Sequence, residues 1–141
     1  MRDLPKDASG TPDSALAKLI GRKILAFDSE MGKVEVGFTI TDDFINMQGV
    51  LHGGAYATML DTACGVAIRS LLDMDKFAGH ATLELKTSYL KAGGPGDYLA
   101  KGQVQRIGKS IAFADATLYN SYIELVGSAS ATFILRPRKP A

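Results

Sequence analysis

The sequence predicts an α+β domain in which a curved antiparallel β-sheet wraps one long central helix. Three observations carry this reading. Residues 46–72, NMQGVLHGGAYATMLDTACGVAIRSLL, pass from a polar loop through His52-Gly53-Gly54 into a helix with apolar or small residues on every face. A helix of that kind is buried rather than laid on a surface. On both sides of it lie segments of period-two alternation, the signature of half-buried strands. The last two of these carry small residues at alternate positions, Ala112, Ala114 and Ala116 on one and Gly127, Ala129 and Ala131 on the other. Such a face lets a helix bearing Ala63, Gly65 and Ala67 approach closely. A chain of 141 residues is long enough for one domain that buries about two thirds of its unfolded surface.

In chain order, residues 1–12 are rich in Pro, Gly, Asp and Lys and are expected to fray. Asp13 or Ser14 caps a short helix with Ala15, Leu16, Leu19 and Ile20 as its apolar side, and Gly21 ends it. Ile24 to Phe27 and Lys33 to Ile40 read as a strand pair joined through Glu30-Met31-Gly32. In the second strand Val34, Val36, Phe38 and Ile40 alternate with Lys33, Glu35, Gly37 and Thr39. After the central helix, Thr82 to Leu90 alternates Leu83, Leu85 and Tyr89 against Glu84, Lys86 and Ser88. Gly93-Gly94-Pro95-Gly96 breaks the chain. Tyr98 to Ile107 and Ser110 to Tyr119 make a hairpin across Gly108-Lys109, where Gly in the first central position suits a type II′ turn. A last strand covers Leu125 to Leu135. The order is ββαββββ behind a leading helix, with residues 1–21 as an N-terminal segment, 22–136 as the domain and 137–141 as a tail.

Sixteen basic against fifteen acidic residues leave a net charge of +1, so no broad field draws in nucleic acid or a membrane surface. The one cysteine, Cys64, lies in the apolar helix and reads as a small core residue. A lone thiol excludes an internal disulfide and a multi-cysteine metal site, which fits a reducing cytoplasm. The N-terminus has no apolar core of a signal peptide, and no run is long and uncharged enough to span a bilayer. The chain has neither a G-x-S-x-G elbow, nor a G-x-x-x-x-G-K loop, nor G-x-G-x-x-G. With two histidines and one cysteine a zinc site is improbable, and no cofactor is expected.

What remains is the loop–helix unit. The amides of Gly53 and Gly54 are expected to be free donors at the positive end of the helix dipole. Such an end suits an anion or a carbonyl oxygen gaining negative charge, although Gly-Gly also makes an ordinary turn into a helix. Asn46 is either a turn residue or aims its amide into a site, and His52 either caps the loop or faces substrate. His80 has no partner visible in sequence. Asp61, amid Leu60, Ala63 and Cys64, is expected to be a buried carboxylate. Either it pairs with Arg69 or Lys86, or it is there to do chemistry. Asp61 follows Gly53 by eight positions, about 12 Å along one helix, so one reacting carbonyl cannot sit against both groups of the same chain. If both act on one bond, they come from two chains of a two-fold dimer with antiparallel central helices.

The spacing Asn46-x-x-Gly49-x-x-His52-Gly53-Gly54, followed by Asp61 and by Thr82 and Thr87-Ser88-Tyr89-Leu90 before a Gly-Pro-Gly turn, resembles the hotdog-fold acyl-CoA thioesterases, specifically the phenylacetate-pathway, PaaI-like branch. The resemblance covers residues 22–136. It implies that Asp61 is the catalytic carboxylate, as general base or nucleophile, and that the Gly53 amide polarises the thioester carbonyl. It implies further that Asn46 and His52 of the opposite chain orient water or substrate, and that Thr82 lies near the attacking water. Gly65 stands where some members use a hydroxyl residue, which points away from the branch that uses Glu as the acid. The resemblance implies an acyl-CoA substrate and a homodimer that forms the site and pairs into a homotetramer. The phosphates of CoA need local cations. Arg106 and Lys109 at the hairpin and Arg136 and Arg138 near the tail are the candidates, with Gly54 beside the thioester. A non-catalytic acyl-CoA sensor is the alternative, but the leading segment is too short and too weakly basic for a helix-turn-helix.

Overall fold

The computed structural model describes residues 13–140; the expected fraying of residues 1–12 lies outside that range. Helix α1 (Ala15–Leu19) is capped by Ser14, whose Oγ accepts from the Ala17 N–H at 3.1 Å. Gly21 follows at φ +61°, a left-handed turn where glycine costs nothing. The buried residues here are Ala17 and Ile20, whereas Leu16 and Leu19 are each half exposed. The expected apolar side of this helix is therefore rotated: five residues are too short to present a full stripe, and only the residues nearest the sheet are covered.

Strands β1 (Lys23–Asp28) and β2 (Lys33–Ile40) form the first hairpin, and β2 buries Val34, Val36, Phe38 and Ile40 in strict alternation. Its turn needs Gly32, at φ +66°. After a single 3-10 turn (Asp42–Phe44), helix α2 runs from Gly53 to Leu71, 19 residues. Strands β3 (Phe77–Tyr89), β4 (Gly96–Ile107), β5 (Ile111–Tyr119) and β6 (Leu125–Pro137) complete the molecule. All six strands form one antiparallel sheet in the order β1-β2-β4-β5-β6-β3. β3 begins five residues before the expected start and pairs with β6, not with its sequence neighbour β4. It is an edge strand, which is why its apolar residues are not buried as alternation implies: Leu83 and Tyr89 are both exposed.

The sheet curls around α2, and the fold is α+β of hotdog type. The small faces do what their size allows. Ala112, Ala114, Ala116, Ala129 and Ala131 are buried beneath the helix, and the Cys64 Sγ lies 3.8 Å from the Ala114 carbonyl oxygen. The closest approach is at Gly102 of β4, where a Cβ would fall 2.5 Å from the Ala63 carbonyl oxygen. The hairpin between β4 and β5 differs from expectation. Its loop is Gly108-Lys109-Ser110, closed by the Gly108 N–H on the Ile111 carbonyl at 2.9 Å. Gly108 does not have the positive φ that a type II′ turn requires. No helix among the described residues is long and apolar enough to cross a membrane.

Candidate active site

The loop before α2 is built by its own polar groups. Asn46 receives the Gly49 N–H on its carbonyl and gives its own N–H to the Val50 carbonyl, at 3.0 and 2.8 Å. Its Oδ1 accepts from the Gln48 and Val50 amides at 2.9 and 3.2 Å. Asn46 is thus a turn residue, with only its Nδ2 side uncommitted to the loop. The loop is tied down by the Leu51 N–H to Gly93 O, at 2.9 Å, and by the His52 N–H to Phe44 O, at 2.8 Å. Gly93 sits under two phenols. A Cβ there would be 2.4 Å from the Tyr98 hydroxyl and 3.1 Å from that of Tyr56. Tyr98 donates to Gly94 O and Tyr56 to Lys91 O, both at 2.7 Å. Burial pushes both phenol pKa values up, so each stays a donor.

His52 is the N-cap of α2. Its carbonyl takes the Ala55 N–H at 2.9 Å, and its Nδ1 accepts the Gly54 N–H at 2.8 Å. The accepting Nδ1 places the proton of a neutral ring on Nε2. Of the two amides expected to be free, Gly54 is therefore engaged within the chain. Gly53 alone keeps an N–H with no acceptor among the described residues, at the positive end of a long helix. Its carbonyl receives the Tyr89 hydroxyl at 3.1 Å, a contact from β3.

Asp61 is half-buried rather than buried, because its side of α2 faces the open edge by β3 instead of the concave sheet. The Thr82 hydroxyl donates to Asp61 Oδ1 at 2.7 Å. Neither Arg69 nor Lys86 forms an ion pair with it among the described residues. The salt bridge that was the structural alternative for this carboxylate is therefore absent among the described residues. Asp61 and Thr82 open onto a cavity of ≈ 310 Å³ that also touches Arg22, Gly65, Arg69 and His80. A bulge at Leu83, between the Thr82–Phe133 and Glu84–Thr132 pairs, lies next to Thr82 and interrupts the β3–β6 register.

The structure thus groups the expected site residues in two clusters. Asp61 and Thr82 lie together; Asn46, His52, Gly53 and Gly54 lie together at the start of α2, and none of them lines the Asp61 cavity. The four cations form a third group. The Leu135 N–H donates to Ser110 O at 2.8 Å, which brings the hairpin carrying Arg106 and Lys109 beside the end of β6 with Arg136 and Arg138. All four are exposed surface charges, and Arg138 also gives its Nε–H to Met74 O at 2.7 Å.

Two features had no signal in the sequence. His80, on β3, packs edge-on against Phe133 with ring centroids 5.1 Å apart, and its buried Nδ1 has no partner. Burial first, then the charge of Arg69, lowers its pKa, with Asp61 opposing, so the ring is held neutral. The cavity's cations, Arg22 and Arg69, come from β1's approach and from the last turn of α2, far apart in sequence. Cys64, by contrast, is the core residue it was expected to be. Burial, with the charges of Asp61 and Asp115, pushes its thiol up to about 12. Among the described residues no group of three or more His, Cys, Asp or Glu is placed to hold a metal ion.

The chain is similar to known proteins in both sequence and fold. A Halobacterium salinarum protein named as an inferred esterase is 39% identical over 71 residues, 50% of this chain and 46% of the relative. The medium/long-chain acyl-CoA thioesterase YigI of Escherichia coli is 29% identical over 99 residues, 62% of this chain and 64% of the relative. The chain therefore spans about half to two thirds of these curated relatives. Among solved structures, a phenylacetic acid degradation-related protein of Ralstonia eutropha superposes with a TM-score of 0.84 at 28% identity, over 94% of this chain and 99% of that one. A Streptococcus mutans protein solved bound to acetyl CoA gives 0.72 at 26% identity, over 84% and 91%. The family model described as the thioesterase superfamily matches residues 48–131, the span that holds the capped helix start, Asp61 and Thr82, and the chain belongs to that superfamily.

Proposed function

We propose that this protein hydrolyses an acyl-CoA thioester to the free acid and CoA, in a site made by two copies of the chain. The observation that carries the reading is the Thr82 hydroxyl held on Asp61 Oδ1 at 2.7 Å beside a cavity. That bond fixes the carboxylate and leaves Oδ2 free to work. Acting as base, Asp61 takes a proton from water as the water oxygen adds to the carbonyl carbon. Acting as nucleophile, Oδ2 adds to that carbon itself and water later cleaves the anhydride. In both routes the C–S bond breaks and CoA leaves as a thiol once protonated. The oxyanion is met by a free amide at a helix start, the Gly53 N–H of the second copy, because the two groups of one chain lie about 12 Å apart along α2.

The second copy has a place to join. β3 is an edge strand of 13 residues, exposed along the side that carries Leu83 and Tyr89, and a long apolar edge invites pairing with another chain. Asn46 and His52 of that copy then flank the carbonyl, Gly54 lies behind it, and Arg106, Lys109, Arg136 and Arg138 are the cations available to the CoA phosphates. Similarity to YigI and to the acetyl-CoA-bound Streptococcus mutans structure supports the ligand class.

The test is a panel of acyl-CoA thioesters followed by free-thiol release, with sedimentation at the assay concentration. Turnover by a dimer or tetramer is expected. Acyl-CoA binding without turnover of any thioester favours a sensor, and an active monomer rules out the two-chain site.

A further inference from the structure

The cavity behind Asp61 is built for charge rather than for a plain hydrocarbon chain. Asp61, Gly65 and Arg69 follow one another at four-residue spacing and so form one stripe of α2. Gly65 contributes no side chain, and a Cβ there would meet His80 Cε1 at 3.1 Å. Glycine therefore lets the His80 ring lie against the helix between the acid and the arginine. Arg69, one turn beyond Gly65, lines the same cavity as Asp61. Arg22 enters the same cavity, but its guanidinium is already matched by Asp13 at 2.5 Å. Arg69 has no acidic partner among the described residues. The His80 ring lines the same cavity, kept neutral by burial and by the nearby charge of Arg69. Arg106, Lys109, Arg136 and Arg138 do not line this space.

We infer that the acyl group this site accepts carries a carboxylate remote from the thioester, held by Arg69 with His80 beside it. The inference rests on the thioesterase reading and names its substrate class: monothioesters of dicarboxylic acids. A guanidinium in a partly enclosed cavity discriminates strongly between a carboxylate and a methyl group. With the methyl end its charge is desolvated and unmatched.

The experiment compares glutaryl-CoA with pentanoyl-CoA, which share chain length and the whole CoA moiety. Wild-type protein is expected to prefer glutaryl-CoA in kcat/KM by at least about tenfold, the worth of one charge-assisted hydrogen bond. Arg69→Gln is expected to shrink that ratio by a similar factor, chiefly through KM for glutaryl-CoA, and Arg69→Lys to restore part of it. A preference for pentanoyl-CoA overturns the inference while leaving the thioesterase reading intact. So does an Arg69→Gln variant that weakens both substrates equally, since that places Arg69 on the shared CoA. Hydrolysis of neither, nor of any other acyl-CoA, overturns both.

Discussion

Asp61 and Thr82, from the middle of α2 and from β3, meet at 2.7 Å with the hydroxyl as donor. An acid on a helix and a hydroxyl on an edge strand are joined by one bond, and no cation intervenes among the described residues. The bond ties the proposed acid to β3, which is also the strand available to a second copy.

Replacing Thr82 by Val removes that donor and keeps the shape. A hydrogen bond to a charged group contributes about 1.5–3 kcal/mol when sheltered, and this one is exposed in the single chain, so the loss in kcat is expected to be about tenfold. Thr82→Ser is expected to retain most of the activity. Equal damage from both variants would point to packing rather than to the hydroxyl.

Asp61→Asn is expected to lower kcat by about 10²–10⁴ as a base is lost, with stability within about 0.5 kcal/mol of wild type because no ion pair is broken. A buried salt bridge would behave in the opposite way, costing roughly 3–5 kcal/mol while folded protein kept its turnover. Steady-state kinetics and a thermal midpoint on one preparation separate these outcomes.

His52 has two separable tasks. His52→Ala deletes the cap on the Gly54 N–H and is expected to cost about 0.5–2 kcal/mol. Asn is itself a good cap, so His52→Asn is expected to recover most of that stability. If His52 also faces substrate across the dimer, kcat/KM stays low in the stable Asn variant. Full recovery of activity with stability would confine the residue to capping.

The cations near the β4–β5 hairpin are exposed, which makes their contacts with phosphate sensitive to salt. Arg106→Gln, Lys109→Gln and Arg136→Gln are expected to raise KM for CoA thioesters with little change in kcat, and high salt to do the same to wild type. Equal KM values for acyl-CoA and the corresponding pantetheine thioester would remove all of them from the binding site.

The architecture was legible because each element announced itself locally. Val34 to Ile40 alternates, Ser14 and Gly21 bracket α1, and the alanines of β5 and β6 match the small residues of α2. The partner of β3 was not legible. Its pairing with β6 is set by the closure of the sheet around the helix, a relation between segments far apart in sequence. For the same reason Asp61 was expected to be buried. An apolar neighbourhood along α2 does not reveal that the sheet leaves one side of the helix open beside β3. Thr82 was found through resemblance and then met Asp61 in space. His80 and Arg69 could not be linked in sequence at all, since only the packing of β3 against the last turns of α2 brings them together. The Gly54 amide illustrates a finer limit: the glycine signals a helix start, but whether His52 turns back to occupy its N–H depends on a rotamer.

The contact of Gly102 with Ala63 sets where motion can occur. With a backbone carbonyl pressed where a side chain would stand, the midpoint of α2 rests on β4 as on a fulcrum. The helix cannot slide along its axis without lifting off the sheet. Asp61, two residues before that point, is therefore expected to keep its depth when its surroundings move. Admission of substrate is expected to fall to the flanking parts, the loop before His52 and the β3 edge, which hold few buried residues. Amide exchange would record this as slow, global opening for residues 63–67 and faster, local opening on either side.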